Sequence, residues 1–136
     1  MMALAVILSV VLLAIAALHL LWGIGFWWPI RDEAGLARAV VGRAGITRMP
    51  GAVPCASVGT ALMVLASWLY LPQEIWFVRA GTGIAAGVFV LRGIAAWVPA
   101  FQRITPEPAF RRLDTALYGP LCLAIGAGLA VFAIGG

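Results

Sequence analysis

Charge is what this chain has least of. Of its 136 residues, 10% are charged and 64% are hydrophobic, whereas soluble domains carry about 25% charged residues. So short a chain cannot hide that much apolar surface in an aqueous core. An ordinary soluble bundle is therefore excluded, and the solvent to consider is lipid. Lysine is missing altogether; all nine basic residues are arginines. They are dispersed beside apolar runs rather than gathered on one surface, so the net charge of +4 does not describe a nucleic-acid face. The two cysteines, Cys55 and Cys122, are too far apart for a CxxC redox or zinc motif. No metal, cofactor or nucleic-acid partner is expected.

What is present is a set of long apolar runs, with a mean hydropathy of +1.07. Crossing the hydrocarbon takes about 20 residues of helix. Four runs qualify, at about 3–28, 52–71, 75–98 and 115–134. The fold class expected is all-α: a four-transmembrane-helix bundle forming one integral membrane domain over 1–136. The first run has no basic leader and is longer than the apolar core of a signal peptide, so it reads as a span. Trp27 and Trp28 mark its interfacial end, and Pro29 stops it. In the first connection, Asp32 can cap a short interfacial helix that Gly42 ends. Pro54 suits the first turn of span two, and Pro72 closes that span. The brief turn at Pro72–Glu74 implies that spans two and three are antiparallel neighbours. Gly83 and Gly87 in span three form GxxxG, which allows close approach of another helix. Pro120 lies near the start of span four.

The arginines orient the bundle. Arg31, Arg38, Arg43, Arg48, Arg103, Arg111 and Arg112 lie in the first and third connections, and Arg79 lies on the other side. The positive-inside rule then places both long connections in the cytoplasm and both termini on the outer side of the cytoplasmic membrane.

Arg92 breaks the apolar run of span three. It lies ~9 Å from the cytoplasmic end of the span, and His19 lies ~13 Å in along span one. Asp114, Tyr118 and Cys122 recur along the entrance to span four. These depths predict one polar pocket between the helices, with Trp22 nearby, open to the cytoplasm. Intramembrane ionisable residues usually face the bundle interior, so Arg92 is expected to meet Asp114, Tyr118 or His19. Plainer roles stand beside these. Arg92 can snorkel to headgroups, His19 can donate to a backbone carbonyl, and Asp114 can cap span four. Tyr118 can be an interfacial anchor, and the cysteines can be packing residues. In GRAGITRMPG, Arg43 and Arg48 among glycines and free amides could hold an anion; the alternative is a solvated turn.

At these residues the chain resembles a known family. AALHLLWGIG, RMPG, VLRGIAAW and FRRLDTALYGPLCL are similar to segments of small bacterial four-helix membrane proteins described only as a domain of unknown function. The matching positions are His19, Trp22, Gly23, Arg92, Gly93, Phe110, Asp114, Tyr118, Pro120 and Cys122. The family pattern has an acid shortly after the span-three Arg-Gly, where this chain has Ala95 and Ala96; that makes Asp114 the more necessary partner of Arg92. The resemblance implies a fold and a membrane location, and no activity.

Three functions compete on this reading. The first is a binding or accessory protein, holding membrane lipid, a lipophilic or anionic small molecule, a partner membrane protein or a second copy of itself. The second is an enzyme moving protons on a lipophilic substrate through His19 or Asp114 with Tyr118; the paired acids of four-helix sterol isomerases are absent. The third is a small exporter, although the first span lacks the glutamate that four-helix multidrug transporters use. No catalytic residue is assigned.

Overall fold

A computed structural model describes residues 1–135, and among these the fold is all-α with no strand. The elements are α1 (Met2–Gly23), α2 (Glu33–Val40), α3 (Ala52–Trp68), α4 (Trp76–Ala95), α5 (Pro99–Ile104) and α6 (Pro108–Leu113). A π-helical turn (Asp114–Tyr118) follows and leads into α7 (Gly119–Gly135). α1, α4 and the continuous helical stretch Pro108–Gly135 are long and apolar enough to cross a membrane, and α3 is a shorter apolar helix. Large apolar side chains point outward along these helices, among them Ile7, Val10, Ile84, Leu91 and Val131. Small ones such as Ala5, Ala66 and Ala86 join Leu8, Leu12, Ile125, Leu129 and Phe132 in the core. This is the inverse of an aqueous fold, as expected where solvent and core are equally apolar.

The helices pair as α1 with α3 and α4 with α7. Ser9 donates weakly to the Ala66 carbonyl (3.5 Å), the Ala16 carbonyl borders Gly59, and Gly23 borders Ala52. Partner numbers fall as α1 numbers rise, so the pair is antiparallel. In the second pair, Gly93 lies against the Gly119 carbonyl, and Gly126 lies against the Val90 nitrogen and the Ala86 carbonyl, again antiparallel. α1 also meets α7, where Leu8 covers Gly128.

Four expectations are corrected. α1 ends at Gly23 rather than at Trp28; Gly25 has φ +86°, a left-handed conformation that turns the chain before Pro29 is reached. Gly83 and Gly87 face open space; the close approach of α4 to α7 uses Gly93, Gly119 and Gly126 instead. Spans two and three are joined by a tight turn but touch chiefly at it. There Trp68 donates to the Val78 carbonyl (3.0 Å) and its indole lies over Gly81. Span four does not begin at Asp114, because α6 already runs into it from Pro108.

The end that carries the long connections is laced together. Asp32 caps α2 by accepting from the Gly35 amide (2.9 Å), as expected. Leu36 and Ala37 bury against Trp22, Met49 and Cys55. Gly42 has φ +77°, and a Cβ there would collide with the Phe110 ring; glycine therefore serves both the turn and the packing of α6. The Glu107 amide donates to the Gly42 carbonyl (3.2 Å), and the Gly45 amide donates to Glu107 Oε1 (3.0 Å). At the opposite end, Thr82 donates to Gln73 Oε1 (2.9 Å) and Arg79 Nε donates to the Gln73 carbonyl (3.1 Å).

Candidate functional site

Asp114 sits in the π-helical turn, an insertion that often marks functional positions. Its side chain is fully buried. Two guanidinium groups share it. Arg92 Nη2, from the last turn of α4, donates to Oδ1 at 2.7 Å. Arg111 Nη2, from α6, donates to Oδ2 at 2.9 Å. Asp114 is not a cap for span four, since the helix runs through it without a break.

The two arginines are not equivalent. Arg111 uses four of its five N–H donors: besides the Asp114 bond, Nε donates to the Thr105 carbonyl (2.8 Å), Nη1 to the Ala96 carbonyl (3.1 Å), and Nη2 also to Thr105 Oγ1 (3.0 Å). It lies over the rings of Phe101 and Phe110, 5.6 and 5.1 Å from their centroids. It thus closes the end of α4, where the Ala96 carbonyl accepts from Gln102 as well (3.0 Å). Arg92 has its carboxylate contact and the Phe101 face at 5.0 Å. Among the described residues its Nη1 is buried without a hydrogen-bond partner, yet a third of the side chain is exposed. The cluster of two guanidiniums and one carboxylate carries one positive charge more than it neutralises. Tyr118 and Cys122 lie within electrostatic range of both Arg92 and Asp114.

Of the other expected pocket residues, His19 and Trp22 are not gathered here, and the Tyr118 hydroxyl is engaged elsewhere. The Tyr118 hydroxyl donates to the Ala39 carbonyl (3.0 Å) and its ring packs on Phe110, so it fastens the start of α7 to α2. His19 and Trp22 line a separate groove of about 150 Å³ between α1, α2 and α3, with Val40, Val41, Met49, Pro50, Pro54, Cys55 and Val58. His19 and Trp22 therefore do not share one pocket with Arg92 and Asp114. Depth along a helix is set by residue number, but azimuth and partner choice are not, and α1 pairs with α3 rather than α4. His19 Nδ1 meets the carbonyl of Ile15 in its own helix (2.8 Å), and Trp22 Nε1 donates to the Trp28 carbonyl (2.8 Å).

Arg43 and Arg48 are exposed on the first connection. Two amides of that loop are already taken: Gly45 by Glu107, and Met49 by Glu33 Oε2 (3.1 Å). Among the described residues no group of three or more metal-ligating side chains converges.

Sequence reasoning passed over Arg111, treating it as one of the charges that orient the bundle. The signal was available: Arg111 precedes Asp114 by three residues on one helix, the spacing at which side chains meet.

No curated protein and no solved structure matches the chain. A family model described as "Protein of unknown function (DUF3995)" matches residues 12–129, a stretch that takes in Arg92, Arg111 and Asp114 together with His19 and Trp22. The chain belongs to that family of unknown function.

Proposed function

We propose that the chain is a polytopic membrane protein with four spans, both termini extracytoplasmic, that binds an anionic amphiphile at Arg92. α3 has 17 residues, a rise of ~25 Å against a hydrocarbon thickness of ~30 Å. The apolar turn that continues it, with Leu69 and Leu71 backbone-bonded to Leu65 and Trp68, supplies the remainder. The exposed apolar belt supports this placement.

One observation carries the ligand reading: Asp114 is divided between two arginines, leaving the more exposed one, Arg92, with surplus charge and an unbonded donor. Arginine's planar fork suits phosphate and carboxylate oxygens, and the neighbouring helices offer apolar flanks to a tail. The ligand expected is a lipid-like molecule with an anionic head at the depth of Arg92.

Thermal unfolding in nanodiscs tests this. Phosphatidylglycerol should raise the midpoint over phosphatidylcholine for the unmodified protein and for Arg38→Gln, and lose that effect in Arg92→Gln. Equal midpoints in the two lipids for the unmodified protein would sink the reading.

A further inference from the structure

We propose that the groove at His19 is a second binding site, for a membrane-dissolved phenol or hydroquinone ring whose hydroxyl donates to His19 Nε2. The inference does not depend on the Arg92 reading. A carbonyl oxygen can only accept, so the 2.8 Å contact of His19 Nδ1 with the Ile15 carbonyl puts the ring proton on Nδ1 in the neutral imidazole. Nε2 is then an acceptor. It has no protein partner among the described residues; the Nδ1 contact is the sole hydrogen bond of this side chain.

The surroundings define the rest of the ligand. Around His19 the groove is walled by Trp22, Met49, Pro50, Pro54 and Cys55, with no charged group. The indole N–H of Trp22 is spent on the Trp28 carbonyl, and its ring stands 5.0 Å from the imidazole. Met49 is held through its amide by Glu33. The Trp22 ring and the Met49 backbone are thus held in place, and methionine sulfur favours aromatic contact. A volume of about 150 Å³ admits a single ring and not a sterol or a lipid headgroup. In the neutral imidazole Nε2 is an isolated acceptor, so the ligand for that form must bring one donor. A quinone, an anisole or an anion offers acceptors only and leaves Nε2 unanswered. A tail para to the hydroxyl can leave past Val58, which is half-exposed.

The chain has one histidine, so nitrogen NMR of ¹⁵N-histidine-labelled protein reads this site alone. In phosphatidylcholine nanodiscs the ligand-free protein should show Nδ1 protonated and Nε2 unprotonated. Titration with 4-octylphenol should move the Nε2 resonance saturably toward the hydrogen-bonded position. The methyl ether, 4-octylanisole, has the same shape without the donor and should leave Nε2 in place. Its affinity should be lower by about five- to tenfold, the worth of one neutral hydrogen bond. In His19→Phe, phenol and ether should bind alike. Val58→Trp, which fills the groove, should abolish the Nε2 response. A proton found on Nε2, an equal response to phenol and ether, or a response that survives Val58→Trp would each overturn the proposal.

Discussion

Asp114 is a residue on which two others depend. Removing it strands two cations, whereas removing Arg92 leaves Asp114 still paired with Arg111. Asp114→Leu should therefore cost about 3–5 kcal/mol, as breaking a buried pair does, and Arg92→Leu should cost clearly less, since a third of that side chain is exposed. Arg111→Leu should rank above Arg92→Leu, because it also frees the Thr105 carbonyl and removes one of the two donors on the Ala96 carbonyl. Denaturation in detergent gives the order; Arg92→Leu proving worst would refute it. Arg92→Lys should recover only part of the loss, since a point charge lacks the fork. The Arg92–Asp114 pair was legible in the sequence because an arginine at depth needs an acid and only one acid stands at that level. Arg111 was not, because a charge in a connection reads as topology until its helix is known to continue into the span.

At the scale of elements, glycines separate contact from exposure. A Cβ at Gly126 would stand 2.9 Å from the Val90 nitrogen and 3.0 Å from the Ala86 carbonyl, both backbone atoms that cannot swing aside. Gly126→Ala should destabilise by about 1–3 kcal/mol through overpacking. Gly87→Leu should change stability within about 0.5 kcal/mol, as substitutions away from contacts do. A matched pair of melting curves decides, and equal losses would contradict the helix pairing. Tyr118→Phe should cost about 1 kcal/mol for its hydrogen bond to Ala39. The helices themselves were readable from the length of the apolar runs, and α2 from the Asp32 cap and Gly42 stop. Which glycines pack was not. α1, α3 and α7 are apolar nearly all round, so no polar face tells one side from another, and GxxxG marks the possibility of close approach rather than its use.

At the scale of the whole molecule, the fold is two antiparallel pairs, α1–α3 and α4–α7, in sequence order. Tyr118–Ala39, Glu107–Gly45 and Phe110–Gly42 tie them at the connection end. If both long connections are cytoplasmic, cysteines placed at the exposed positions Arg43 and Glu74, in a background lacking Cys55 and Cys122, should label from opposite faces of the membrane. Labelling from one face would remove a span, with the short α3 as the first suspect. Composition sufficed to read three helices long and apolar enough to cross a membrane. The separation of His19 and Trp22 from Arg92 and Asp114 was out of reach, because pairing is decided by side-chain fit between helices that are alike in sequence character. The spacing of the ion pair has a further consequence, for biosynthesis. Arg92 precedes Asp114 by 22 residues, so the ribosome delivers the cation well before the anion. α4 is also the least apolar of the three long helices. Released alone, it is a weak substrate for lateral exit into lipid. If α4 is a span, it is expected to wait at the insertion machinery until α6 and the π-helical turn emerge, so that the second pair enters the bilayer as a unit.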